Sequence, residues 1–130
     1  VGVPMYNGYM ATAKVKSTQT NHGNTTSFIA ATLTKCATGV DEVTMGSTKV
    51  KCSSSPAVIA KAFATYLNSI NKNPYNTSKP ATVYTSATPI LGQSSVYGYS
   101  NKIRVKTNVG NESGASVLQP ISGWDEITKE

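Results

Sequence analysis

A helical pattern in the first third of the chain, from residue 1 to about residue 37, constrains the fold most. Apolar residues recur there every three or four positions, which is the spacing of one helix face. They are Tyr6, Met10 and Ala13 in the first part, and Phe28, Ile29, Leu33 and Cys36 in the second. Residues 17–27 between them are polar and poor in helix formers, so the pattern allows either one helix held by its neighbours or a break into two. Gly39 is placed to cap the C-terminal end.

A second helix is predicted over residues 56–72, after the second cysteine. Ser55 is the expected N-cap, and Pro56 suits the first helical position. The apolar positions that follow share the spacing of one helix face: Ile59, Phe63, Tyr66, Leu67 and Ile70. We therefore expect Phe63 and Leu67 to face the core, and Lys61 and Asn68 to face water.

The remaining segments favour β-structure. Residues 43–52 predict a short hairpin that turns at Gly46 and Ser47. After Pro80 the chain holds several alternating segments, of which residues 116–121 and 124–128 are the last candidate strands. Pro120 would confine the first of these two strands to a sheet edge, because proline cannot donate to a ladder.

One strand after Pro80 separates its apolar and basic side chains. Ile103 and Val105 point to one face, and the opposite face carries Lys102, Arg104 and Lys106. The order of elements predicts a single α+β domain over residues 1–130. In it, a long N-terminal helix packs on an antiparallel sheet, with an additional helix in or after the connection between them.

Two cysteines, Cys36 and Cys52, enclose a loop of 15 residues. An even number of cysteines in a chain rich in Ser, Thr and Asn favours a disulfide, and two buried free thiols are the alternative. A metal site is not favoured, because two cysteines and the single His22 do not make a four-ligand set. No cofactor is predicted.

The sequence does not predict an enzyme, because it lacks a convergent set of catalytic residues. The adjacent pairs Asp41-Glu42 and Asp125-Glu126 fit solvated turn charges, since adjacent side chains on a regular element do not face each other. His22 is expected at the surface or between helices. Trp124 is expected as a core or edge anchor.

The opening residues, "VGVPMYNGYMATAKVK", resemble the stretch of a type IV pilin where the hydrophobic N-terminal segment ends. In that family an apolar helix passes through a V-P-x-Y-x-x-Y pattern into a polar helical half. Residues 27–39, "SFIAATLTKCATG", are similar to the end of the first pilin helix. The resemblance is strong up to about residue 39 and architectural beyond it.

The resemblance implies a structural subunit that assembles into a pilus filament through its N-terminal helix. The side chains implied to face the filament core are Val3, Pro4, Tyr6, Met10 and Ala13. Implied partners are further copies of the chain, the pilus assembly machinery, and the inner membrane before assembly. The implied location is an extracellular pilus, reached through the inner membrane and periplasm. The prepilin cleavage site and the apolar start are absent, so we expect a membrane-spanning helix to precede Val1.

Two related functions remain open. A type II secretion pseudopilin would carry a calcium loop of closely spaced acids, and the C-terminal third offers few acids for one. A DNA-binding pilin for DNA uptake fits the formal net charge of +6, although only 14% of residues are charged. Its candidate anion-binding residues are Lys102, Arg104 and Lys106, with Lys49 and Lys51 as a second group. Alternatively, these residues form a solvated strand face that keeps a sheet edge from aggregating. Cell surfaces are further possible partners.

Overall fold

Two helices and seven strands form the part of the chain described by the computed structural model, which covers the backbone of residues 2–129 and the side chains of residues 11–129. In chain order they are α1 (Gly2–Ala37), β1 (Glu42–Met45), β2 (Thr48–Lys51), α2 (Pro56–Ile70), β3 (Thr82–Tyr84), β4 (Ser94–Tyr99), β5 (Lys102–Asn108), β6 (Leu118–Gln119) and β7 (Asp125–Thr128). The predicted α+β class is confirmed, with a long N-terminal helix and a second helix packed on antiparallel strands. Neither helix has an apolar stretch long enough to cross a membrane within the described residues.

The first helix, α1, is continuous, and its polar middle packs on the sheet. Thr18, His22 and Thr25 are buried there, in line with Ile29 and Leu33 further along the same face. Both threonine hydroxyls donate to the carbonyl four residues earlier, at 2.8 and 2.7 Å, so burial leaves no hydroxyl unsatisfied. The prediction that neighbouring elements hold this segment is confirmed, and the alternative of two helices is wrong.

The second helix, α2, lies across the inner face of the sheet. Its Ser55 cap accepts from the backbone N–H three residues later, and Phe63 and Leu67 are buried in the core as predicted. Lys61 and Asn68 are exposed, which is also as predicted. Ile70 was expected to be on the buried stripe, but it is 57% exposed, because it is the last helical residue and the buried face ends one turn earlier.

The strands form two separate sheets. β1 and β2 make the predicted hairpin with its turn at Gly46-Ser47. The larger sheet has the order β3-β4-β5-β6, and β7 pairs with the other half of β5. The pairings of β5 are antiparallel, but β3 runs parallel to β4, so the prediction of a purely antiparallel sheet is wrong at this edge. Pro120 directly follows β6 and does not interrupt the ladder.

The backbones of α2 and β4 approach closely at Gly98. A Cβ added to this glycine would lie 2.6 Å from the Cα of Ala57, and backbone cannot yield as a flexible side chain can. We expect Gly98→Ala to lower the free energy of unfolding by about 1–3 kcal/mol, the usual cost of overpacking. Chemical denaturation measures this change, with Gly23→Ala as the control, because a Cβ at Gly23 meets nothing within 4 Å. Equal stability of the two variants would contradict the close approach of the α2 and β4 backbones at Gly98.

Tyr75 ties the loop after α2 to the end of β5. Its hydroxyl donates to the carbonyl of Val109 at 2.7 Å, and burial raises the pKa of the phenol above its ordinary value of 10.0. Because the pKa of Tyr75 is raised in the folded state, the neutral phenol contributes its full share to the free energy of unfolding below pH 10.0. This contribution is lost as the pH rises further and the phenol ionises. We expect Tyr75→Phe to cost about 1 kcal/mol at neutral pH and to reduce the alkaline loss of stability. Thermal melts of the variant and the unmodified protein, from neutral to alkaline pH, measure this difference. An equal loss of stability in both proteins at alkaline pH would contradict the role of Tyr75.

Candidate anion-binding face of the sheet

The basic side chains of β5 project from the face of the sheet opposite the helices. Ile103 and Val105 are fully buried on the inner face, whereas the three basic residues that alternate with them are partly exposed. The predicted alternation along this strand is therefore confirmed. We call the outer surface the basic face, and it consists of Tyr99, Lys102, Arg104, Lys106 and Trp124.

The position of β5 removes one explanation of these charges. The strand pairs with β4 along one side and with β6 and β7 along the other, so it lies in the interior of the sheet. Lysines protect a sheet edge where backbone groups lack partners. Because the backbone of β5 is paired on both sides, Lys102, Arg104 and Lys106 do not guard an edge, and that part of the alternative is wrong. A solvated outer face of the sheet is the part of the alternative that stands.

Two aromatic rings lie among the cations of the basic face. The Arg104 guanidinium carbon is 4.7 Å from the centroid of the Tyr99 ring and 5.8 Å from that of Trp124. The Lys106 ammonium is 5.0 Å from the Trp124 centroid. These distances are within the range of cation–π attraction, which orders flexible basic side chains. Trp124 is half-buried, and it anchors the cations of this face rather than the core.

Glu126 supplies the acidic partner of this group. Its carboxylate lies 2.8 Å from Nε of Arg104 and 3.5 Å from Nζ of Lys102. The prediction that Asp125 and Glu126 are turn charges is wrong, because both belong to β7 and point to opposite faces of the sheet. One acid against three basic side chains leaves the basic face with a positive charge.

The second group of candidate residues lies elsewhere. Lys49 and Lys51 are exposed on β2 and belong to the two-stranded sheet, whose ladder is separate from that of β5. Lys51 is opposite Glu42 in the register. The structure therefore does not place these two lysines on the basic face.

A buried hydrogen-bond network connects α1 to the sheet through His22. Its Nδ1 lies 2.7 Å from Oγ1 of Thr107, and its Nε2 lies 2.6 Å from Oδ2 of Asp125. Thr107 also contacts the hydroxyl of Ser94 at 2.7 Å. A carboxylate only accepts, so Nε2–H donates to Asp125, and in the neutral imidazole Nδ1 accepts from Thr107. Sequence reasoning missed this site because a lone histidine in a polar segment carries no apolar periodicity.

The network has the order Asp-His-Thr, but its geometry favours a structural role. Thr107 is 0% exposed and Ser94 is 2% exposed, so neither hydroxyl is accessible to a substrate. His22 is also buried, contrary to the expectation of a surface or interhelical position, because it joins the helix to the sheet. No group of three or more His, Cys, Asp or Glu side chains suited to a metal gathers among the described residues.

We expect His22→Phe to lower the free energy of unfolding by about 1–3 kcal/mol, because both polar contacts of a buried side chain are lost. Equilibrium denaturation measures this loss. Asn24→Phe, at an exposed position on the same helix, is the control for a new aromatic side chain. A stability equal to that of the unmodified protein would show that the network contributes nothing.

The two cysteines form the predicted disulfide, with 5.4 Å between their Cα atoms. The bridge joins the end of α1 to the residue after β2. Of the residues expected to face a filament core, Ala13 is half-buried. The side chains of Val3, Pro4, Tyr6 and Met10 lie outside the described residues.

No protein-family model matches the chain, and no curated protein or solved structure is significantly similar to it. The functional assignment therefore depends on the residues and their geometry.

Proposed function

We propose that the chain is a structural subunit of a type IV pilus filament, which assembles with further copies of itself through α1. The observation that supports this most is the length of α1. Its 36 residues span about 54 Å, whereas β5, with seven residues, spans about 24 Å. The helix is thus roughly twice as long as the longest strand on which it packs.

A helix that extends beyond its own sheet offers a surface to another chain. In the proposed filament, Val3, Pro4, Tyr6, Met10 and Ala13 pack on the helices of neighbouring copies. The location is an extracellular pilus, preceded by an inner-membrane and periplasmic stage with the assembly machinery. A head-to-tail contact whose rotation does not close on itself produces an open filament, and the proposal requires a contact of this kind.

Immunogold electron microscopy of surface filaments sheared from the source cells tests this proposal. We expect labelled thin filaments from cells that express the unmodified gene and none from cells that carry Met10→Asp. Ser27→Asp, at an exposed position in the same helix, should leave the filaments intact. Recovery of the protein as a soluble monomer under every growth condition would contradict the proposal.

A second function, the capture of DNA by the basic face, is favoured by the position of the basic residues on an interior strand. Phosphates attract lysine and arginine without regard to sequence, and binding releases counterions. Side chains on one face of a strand are about 6.8 Å apart. Lys102, Arg104 and Lys106 would thus present a row of three separate cations to a phosphate backbone.

The triple variant Lys102→Gln, Arg104→Gln, Lys106→Gln tests this second function. We expect its binding to duplex DNA to weaken, with a fall of about 2–3 in the slope of log K against log salt. A control with the same change in net charge replaces Lys35, Lys72 and Lys79, which are exposed outside the basic face. Equal effects of both triple variants would show that net charge, and not this face, binds DNA.

A further inference from the structure

Arg104 has the most defined environment of the three basic residues. Tyr99 comes from the neighbouring strand β4, and Trp124 directly precedes β7, so the guanidinium is bracketed from both sides of β5. Glu126, opposite Arg104 in the register, lies at its Nε end. Three neighbours from two other segments thus fix the orientation of one side chain.

The terminal nitrogens of Arg104 remain available. Nε is 2.8 Å from the Glu126 carboxylate, an ion-pair distance, although its N–H is not aligned for a hydrogen bond. Among the described residues, neither terminal nitrogen of Arg104 has an acceptor. The side chain is 29% exposed and Nε is buried, whereas the terminal nitrogens are not among the buried unpartnered atoms, so this end of the guanidinium reaches solvent.

We propose that Arg104 is a bidentate phosphate-binding residue at the centre of the basic face, and that Tyr99 and Trp124 are positioning residues that orient it. This inference depends on the proposed capture of DNA and names the group that recognises it. A guanidinium presents paired N–H donors that match two oxygens of one phosphate. An ammonium in the same place supplies charge without that geometry.

The same contacts give the rings a positioning role. Tyr99 and Trp124 already pack on cations of their own chain, at 4.7–5.8 Å from ring centroid to charged group. Because the rings already restrict the Arg104 side chain, Arg104 loses less conformational entropy when it binds its ligand. The ligand group in this proposal is a backbone phosphate, which the guanidinium can reach without unstacking of bases.

Arg104→Lys separates geometry from charge. With a duplex of about 20 base pairs at about 50 mM salt, we expect about tenfold weaker binding and an unchanged salt slope, because the charge is kept while paired hydrogen bonding is lost. The matched control Lys106→Arg should bind within about threefold of the unmodified protein. Unchanged affinity of Arg104→Lys would overturn the inference.

Trp124→Leu tests the positioning role through a double-mutant cycle. We expect it to weaken binding about threefold to tenfold in the unmodified protein and to have little effect when Arg104 is already Gln. An equal loss in both backgrounds would mean that Trp124 acts through Lys106, whose ammonium is 5.0 Å from its ring, or binds DNA itself, and either result would overturn its assigned role. Circular dichroism and thermal melting confirm that each variant is folded, and Trp124→Phe should restore most of the affinity.

The outcomes distinguish this inference from the proposal on which it depends. If the triple glutamine variant binds DNA as well as the unmodified protein, the basic face does not capture DNA and both fail. If the triple variant loses binding while Arg104→Lys does not, DNA capture stands and the bidentate role fails. If Arg104→Lys weakens binding to heparin but not to DNA, the residue recognises sulfate groups, and the phosphate assignment is overturned.

Discussion

Replacement of Phe63 by Ala is expected to lower the free energy of unfolding by about 3–5 kcal/mol. Phe63 is 0% exposed and lies in the middle of α2, where it packs between the helices and the sheet. Its ring meets that of Phe28 edge to face, with 5.8 Å between the centroids. Truncation therefore removes buried apolar surface, leaves a cavity and breaks an aromatic pair that links the two helices.

Urea denaturation followed by far-UV circular dichroism measures the effect of Phe63→Ala. Val58→Ala is the matched control, because Val58 lies on the same helix and is 50% exposed. We expect the control to change stability by no more than about 0.5 kcal/mol, since surface substitutions away from special features are nearly neutral. A loss below about 1 kcal/mol for Phe63→Ala would mean that α2 is not packed on the core in this way.

The core of α2 could be predicted from sequence because apolar periodicity reports burial directly. Phe63 and Leu67 repeat at the spacing of a helix face, and both are buried. The method fails on the polar middle of α1 for a physical reason. Thr18 and Thr25 satisfy their hydroxyls within the helix and so can be buried among apolar residues, but in a sequence they count as polar.

Partners that are distant in the sequence could not be predicted at all. His22 meets Thr107 and Asp125 across separations of 85 and 103 residues, which no local pattern encodes. The parallel pairing of β3 with β4 depends in the same way on how a loop returns to the sheet. The strand register was also needed to place Glu126 opposite Arg104.

The candidate site was predicted in part. The alternation of residues 102–107 placed the three basic residues on one face, and the structure agrees. The sequence did not show that β5 is an interior strand, because sheet order is decided by pairing between distant segments. That order shows that these charges lie on the outer face of an interior strand and not at an edge.

Loss of the Cys36–Cys52 bridge should lower the free energy of unfolding by about 3 kcal/mol, within a range of about 2–5 kcal/mol. In the chain-entropy model, a closed loop of this size restricts the unfolded chain, and removal of the bridge restores that freedom. Loss of the bridge should destabilise the β1–β2 hairpin more than it destabilises the domain as a whole. Two four-residue strands form the β1–β2 hairpin, and an isolated two-stranded hairpin is at best marginally stable in water.

Four measurements check the bridge: intact mass, chemical denaturation, limited proteolysis and thiol labelling. Intact mass before and after reduction should differ by two hydrogens, and the double variant Cys36→Ala, Cys52→Ala should show the lower denaturation midpoint. Limited proteolysis of this variant should cut first between α1 and α2, because the bridge holds that connection to the end of α1. Ser53→Ala, an exposed neighbour of Cys52, is the control and should resist proteolysis like the unmodified protein. Labelling of two thiols in unreduced, denatured protein would show that the bridge is absent. Val43, Met45 and Val50 of the hairpin would then be held in the core without a covalent cross-link to α1.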